Sequence, residues 1–485
     1  MIERSSVSQA IAFIFHIWAK IKKNTNVFYA WLLIPFFPAL SFDECRIALT
    51  LAVCLTALSA VEVSPLLRTS KATVILSCAL ALGLVSAVNA ERPYWGVLET
   101  TFFGLLFLSI YRIAYSENRA KRAAFRVYPL LVFTSVLVTV YIAVITIFIA
   151  YFQGESVDKS QLTANFWNIR LFNQYQTWSL PLITTTLVIS PPSSKISTWI
   201  WQSFILILGG FFWSLLWISG GRGTLYATVA VSIFVCLFYG RIGRRYAFRT
   251  LSLAAIGFLF ARLMFGWNEV TNTHLESTEL SGRSQLWILA WQSIKASPLI
   301  GIGPMQFATY NTGVAANPHN TPLQLAAEWG IPATSVFLGV AGYLGFGWLR
   351  FSKRAVEGSY SKDFPADVQN IIVGITASLG AAGIHSLVSG LLVMPISTAM
   401  FVIITGCAGL IYRTYNTPNV GPIREPAKPL QIHFSRVVII ASIIYVAGFT
   451  SVGFFEKFSK NTVKSPTQAR NSYEPRFWSD GTLTK

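Results

Sequence analysis

The sequence predicts an all-α polytopic membrane protein of about twelve to thirteen transmembrane helices, with one large outward loop that holds short amphipathic helices. Two observations of composition and one physical rule predict it. Hydrophobic residues make up 53% of the 485-residue chain and charged residues only 12%, against roughly 25% charged in soluble domains. Long apolar runs recur between residues 26 and 455, most of them near the ~20 residues that cross a hydrocarbon core about 30 Å thick. A backbone in lipid must satisfy its own hydrogen bonds, so these runs form helices.

In chain order the runs are 26–42, 45–61, 72–89, 96–114, 128–152, 176–191, 197–218, 223–240, 249–265, 322–349, 368–388, 394–413 and 436–455. The sixth is the weakest because it is short. Basic residues follow every second run: Arg68 and Lys71, then Arg112 to Arg126, Lys195, Arg241 to Arg249, Arg350 to Lys362, and Arg413 to Arg436. The positive-inside rule makes those ends cytoplasmic and turns 153–175, 219–222 and 266–321 outward. The expected organisation is a cytoplasmic segment 1–25, spans one to nine over 26–265, the large outward loop 266–321, spans ten to thirteen over 322–455, and an outward tail 456–485. The apolar stretch Ala10 to Trp18 precedes Lys20, Lys22 and Lys23, the reverse of a cleavable signal peptide.

The net charge of +18 is explained by these loops rather than by nucleic acid, since no basic stripe alternates with a stacking platform. Cys45, Cys54, Cys78, Cys236 and Cys407 form no CxxC or Cys/His spacing, so no disulfide framework or zinc site is expected. Most spans lack mid-membrane charge, which argues against an ion-coupled transporter.

Polar chemistry concentrates in the outward segments. Ser281 is a candidate N-cap for an amphipathic helix over Gly282 to Ala296, closed by Pro298, and Trp287 and Trp291 suit the membrane interface. Gly301, Gly303 and Pro304 mark a second turn. Thr321-Pro322 reads as N-cap and first helical residue, which places His319 and Asn320 at a helix mouth whose N–H groups favour a phosphate. Arg283 opens the amphipathic helix; it either snorkels or pairs with Glu276 or Glu279, or it clamps phosphate oxygens in bidentate fashion. Arg222, in Ser219-Gly-Gly-Arg222-Gly, carries the same two readings, and the glycines admit a close ligand. The stretch Asn165 to Gln176 holds Arg170, Asn173 and Gln174 among amides and aromatics, suited to a sugar or to capping the bundle. His319 titrates near neutrality and could move a proton. His385, before Ser389-Gly390 and Met394-Pro395, either lines the same cavity or fills a packing site.

Together these residues resemble the O-antigen ligase and polymerase superfamily of bacterial membrane glycosyltransferases. The resemblance rests on Arg283, Trp287 and Pro298-Leu-Ile-Gly301-Ile-Gly303, then His319-Asn320, Leu323-Gln324, Glu328 and Gly330-Ile-Pro332, with Ser219-Gly-Gly-Arg222-Gly before them. It covers about 215–410. It implies transfer of a glycan from undecaprenyl diphosphate, at the periplasmic face of the inner membrane, to lipid A core or to Ser/Thr of a pilin-like protein, without metal or cofactor. His319 matches the family's essential histidine, and Arg222 and Arg283 its donor-diphosphate arginines. Arg170, Asn173, Gln174, Asn320, Glu328 and His385 are then expected to line the substrate cavity. The weaker likeness of Asn168 to Gln174, the His385 block and Pro475 to Trp478 is to the ligase and protein-glycosylating branch. The alternatives are a glycan polymerase of the same superfamily and, from another class, a polysaccharide or lipid transporter.

Overall fold

The computed structural model describes residues 31, 34–40, 42–61, 71–115, 121–155, 157, 162, 166, 169–189, 191, 196–266, 283–310, 315–358, 364–416 and 429–459. Among them every regular element is helical: α1 (Phe42–Val61), α2 (Lys71–Val88), α3 (Pro93–Ala114), α4 (Lys121–Gln153), α5 (Ile169–Thr186), α6 (Thr198–Ser219), α7 (Arg222–Phe238), α8 (Gly240–Phe265), α9 (Arg283–Ala296), α10 (Thr321–Glu357), α11 (Ala366–His385), α12 (Pro395–Asn416) and α13 (Pro429–Ser459), plus short 3₁₀ turns at Ile34–Ala39 and Gln306–Thr309. The expected cytoplasmic segment, the N-cap Ser281, Asn165, Asn168, Lys195, His274, Glu276, Glu279 and Pro475 to Trp478 lie outside the described residues.

The chain is an all-α polytopic membrane protein. Among the described residues seven helical segments are long and apolar enough to cross a membrane: α3, Leu130–Gln153 of α4, α6, α8, α10, α11 and α12. Shorter apolar stretches lie in α2, α7 and α13. α1 and α5 carry more polar residues, and α9 is the short helix expected in the loop.

Three boundaries differ from the sequence reading. Of the first predicted span, 26–42, residues 34–39 form a 3₁₀ turn that contains Pro38, whose ring cannot sit inside an α-helix. α8 starts at Gly240, so Arg241, Arg244, Arg245 and Arg249 belong to its first turns rather than to a loop.

The third difference decides the architecture. The sixth span is Ile169–Thr186, displaced toward the N-terminus from 176–191, so Arg170, Asn173 and Gln174 sit in a helix and not in a loop. Every residue from Phe172 to Thr186 is buried. α5 is the central post of the bundle and touches α4, α6, α7, α8, α11 and α12. Because it meets protein instead of lipid, it can be polar, provided its neighbours supply partners. They do: Tyr175 donates to Ser135 Oγ at 2.8 Å, Gln176 to the Phe212 carbonyl at 3.1 Å, and the Trp178 indole to Ser397 Oγ at 2.7 Å.

α10 is broken at Gly330, whose φ of 80° is left-handed. The break frees backbone groups, and the turn after α9 takes them up. Ile302 and Gly303 donate their N–H groups to the carbonyls of Ala327 and Glu328, and Ile331 donates to that of Pro298, each at 2.9 Å. The turn can approach this closely only because Gly301 and Gly330 face each other's backbones without side chains. Pro332 then reopens the helix where its missing N–H costs nothing. The contacts continue sideways: the Gln306 amide pairs with both backbone groups of Arg92, each at 3.1 Å, and Ser86 Oγ donates to Glu328 O at 2.9 Å. Gly330→Ala is expected to cost about 1–3 kcal/mol from the backbone conformation alone, with a lower melting temperature of the purified protein in detergent. An unchanged melting temperature would show that the break is not held by this close approach.

Candidate functional site

The break and the lashed turn fix the start of α10, and with it the segment from Ala315 to Asn320. His319 adopts a φ of 53°, unusual for a residue with a β-carbon. Asn317 holds it there by accepting the His319 N–H on Oδ1 at 2.9 Å, in a short side-chain turn. Asn317 is itself buried, and its Oδ1 packs against Gly390, where a β-carbon would come within 2.6 Å. The Trp287 indole of α9 donates to the Pro318 carbonyl at 3.0 Å. Strained backbone held by several independent contacts is a mark of functional positions.

Asn320, not Thr321, is the N-cap of α10, its Oδ1 accepting the Leu323 N–H at 2.9 Å. Its Nδ2 donates to the Leu387 carbonyl at 2.9 Å, and the Thr321 N–H to Ser386 O at 2.8 Å. Pro322 has no N–H. The first donors of this helix are therefore occupied, which overturns the expectation that they would receive a phosphate. Asn320 staples α10 to the end of α11.

Arg283 supplies the positive charge that His319 lacks. It is the first residue of α9 and is partly buried, and its Nε has no hydrogen-bond partner. Burial pulls its pKa down, and the charges of Arg170 and Arg222 pull it down further. Guanidinium groups from two other elements, those of Arg170 and Arg222, thus lie within electrostatic reach of Arg283. Burial also pushes the His319 imidazole down, to about 4, with Arg283 and Arg170 adding to the effect. At neutral pH His319 is uncharged and can accept a proton.

Arg222 arrives through the tight turn between α6 and α7. Gly220 ends α6 in the left-handed conformation, and Gly221 is the N-cap of α7. A β-carbon on Gly221 would lie 2.6 Å from Asn173 Cγ, and one on Gly223 would lie 2.6 Å from His385 Nε2. The turn is glycine-rich because α5 and α11 press on it. The first N–H groups of α7 have no intrahelical acceptor, so the positive end of a helix dipole lies beside Arg222.

Asn173 braces that turn. Its Oδ1 accepts from Ser219 Oγ at 2.8 Å, and its carbonyl accepts from Thr224 Oγ1 at 2.6 Å and Thr177 Oγ1 at 3.0 Å. His385 is buried, with Nδ1 2.7 Å from Thr177 Oγ1. With the Thr177 proton on the Asn173 carbonyl, the bond to His385 is donated by Nδ1–H, which leaves Nε2 as an acceptor. Gln174 is buried and donates to Ser389 Oγ at 2.8 Å, while its Oε1 has no partner.

The structure therefore groups Arg170, Arg222, Arg283, His319 and His385, with Asn173, Gln174 and Asn320 holding the elements that carry them. Glu328 does not join them. Its carboxylate is fully buried and accepts from the Phe307 N–H at 3.0 Å and from Gln324 Nε2 at 3.2 Å. It anchors the 301–310 turn. Thr177 and Asn317 escaped the sequence reading, because a hydroxyl or an amide carries no local signal of which distant segment it will face. Among the described residues, no three His, Cys, Asp or Glu side chains come together as a metal ion would need.

Residues 204–338 match the family model described as O-antigen ligase. Over that stretch the chain is similar to the O-antigen ligase family. The search of curated proteins found no match. The matched stretch runs from within α6 through the first half of α10 and contains Arg222, Arg283 and His319. Arg170 and His385 lie outside it and are brought to the same place by α5 and α11. Members of this superfamily are membrane glycosyltransferase-like ligases, which imply a lipid-linked glycan and an acceptor as partners.

Proposed function

We propose that this protein transfers a glycan from undecaprenyl diphosphate to a hydroxyl of lipid A core or of a pilin-like protein, at the periplasmic face of the inner membrane. The observation that carries this reading is the convergence of Arg170, Arg222 and Arg283 beside an uncharged His319. In the reaction the acceptor oxygen attacks the anomeric carbon, and the bond from that carbon to the diphosphate oxygen breaks. The acceptor proton passes to His319, and the electron pair leaves with the lipid diphosphate. Charge grows on the diphosphate as the bond breaks, so fixed guanidinium groups stabilise the transition state more than the ground state. Arg222 and Arg283 fill that role, which otherwise falls to a divalent metal. Direct displacement inverts the anomeric centre. Arg170, Gln174 and His385 shape the cavity around donor and acceptor.

The test is transfer by the purified protein in detergent, from a polyprenyl-diphosphate-linked glycan to a core oligosaccharide or a pilin peptide, with EDTA present. The expected result is inverted product at an undiminished rate. Activity that is lost with chelator and restored by Mg²⁺ would remove the arginine argument. Absence of any product, with polymer formed from donor alone, would favour a polymerase.

A further inference from the structure

We propose that the end of the bundle remote from His319 holds an anionic phospholipid on the exposed face of α8. α7 has 17 residues, a rise of about 25 Å, and carries the chain from Arg222 at the candidate site to the start of α8. There Arg241, Arg244 and Arg245 are exposed and Arg249 partly so, on neighbouring positions of one helix face. With Phe248 they line an open concavity of about 530 Å³. Glu357 packs its carboxylate beside this end, against Gly240.

A second observation on the same helix names the class of ligand. The exposed face continues from the arginines through Phe248, Leu251, Ala255, Leu259 and Leu263, an apolar stripe at helical spacing. Trp217 of α6 and Leu251, Ala254, Ala255, Phe258 and Leu259 of α8 line an apolar groove of about 340 Å³. The groove exists because two alanines sit side by side between larger residues. From Arg249 to Leu259 the helix rises about 15 Å, which is half of a hydrocarbon core about 30 Å thick. The geometry thus presents guanidinium groups for a phosphate and, one leaflet deep on the same face, a slot for an acyl chain. A soluble anion would use the first feature and leave the second without purpose.

The experiment is native mass spectrometry of the purified full chain in detergent, titrated separately with tetraoleoyl cardiolipin, dioleoyl phosphatidylglycerol, dioleoyl phosphatidylcholine and inorganic phosphate. The two anionic lipids are expected to bind at least about tenfold more tightly than phosphatidylcholine, a preference lost when all four arginines are replaced by glutamine. Ala255→Phe fills the groove and keeps every arginine; it is expected to weaken both anionic lipids by about threefold or more. Melting temperatures in detergent report whether each variant folds, and Arg245→Gln alone serves if the quadruple variant does not. Equal retention of lipid by wild type and arginine variants overturns the proposal. So does inorganic phosphate binding as tightly as the lipids, or an Ala255→Phe variant that binds them like wild type.

Discussion

Replacing His319 by alanine is expected to lower glycan transfer by about 10²–10⁴-fold, the usual contribution of a positioned general base, while the protein stays folded in detergent. His319→Asn is the sharper variant, because asparagine tolerates the left-handed backbone that His319 adopts and removes the base alone. Wild-type turnover in either variant would exclude His319 from proton transfer. The same residue dictates the pH profile. Burial, then Arg283 and Arg170, hold its pKa near about 4, below the ordinary value of about 6.5. The acidic limb of kcat/KM is therefore expected below the usual histidine range. Removing one positive charge in Arg283→Gln favours the protonated imidazole and moves that limb upward. Between the folded and the ordinary value the unfolded chain binds more protons than the folded one. The stability gained by keeping His319 neutral is thus complete above about pH 6.5 and is lost as pH falls toward 4.

Arg283→Ala is expected to reduce kcat by about 10²–10³-fold, with a smaller change in KM, because the interaction strengthens as the diphosphate departs. Arg283→Lys keeps the charge but loses the planar fork, so it restores only part of the rate. Arg222→Ala acts on the same leaving group, and the double variant is expected to lose less than the product of the two single effects. The like charges of Arg170 and Arg222 oppose Arg283 in the free protein. The melting temperature of Arg283→Ala without donor is therefore expected to stay level or rise while activity falls. An arginine that only snorkels to the interface predicts the reverse: unchanged turnover and lost packing. Rates against donor concentration, with melting curves on the same samples, separate the two.

The residues that were legible before folding are those whose signal is local. Pro298 stops α9 after Ala296, and glycine and proline mark the turns at 220–221 and 301–304, because helix breakers act through their own backbone. Arg222 stood out because an arginine at the end of an apolar run is costly beside lipid unless it is solvated, paired or used, Arg283 because it opens an amphipathic helix, and His319 because it titrates at the mouth of a span. Less was visible where a neighbour decides the meaning of a residue. Glu328 matched the family pattern as well as His319 did, yet its carboxylate is spent on the Phe307 N–H and Gln324. Thr321 looked like the cap of α10, and Asn320 takes that place because its amide can also reach Leu387.

What the amino-acid order determined alone is that this chain folds as helices in a membrane, since apolar length and backbone hydrogen bonding are properties of each segment by itself. It also determined which ends of those segments are polar. Only the tertiary structure decided that Asn173 and Gln174 lie in the core of the bundle and not in a loop. A polar helix is stable inside a membrane protein when Ser135, Phe212 and Ser397 on surrounding helices and Ser389 in the turn after α11 complete its hydrogen bonds, and no segment carries a record of partners that are far away in the chain. The grouping of Arg170 and His385 with Arg222, Arg283 and His319 has the same cause.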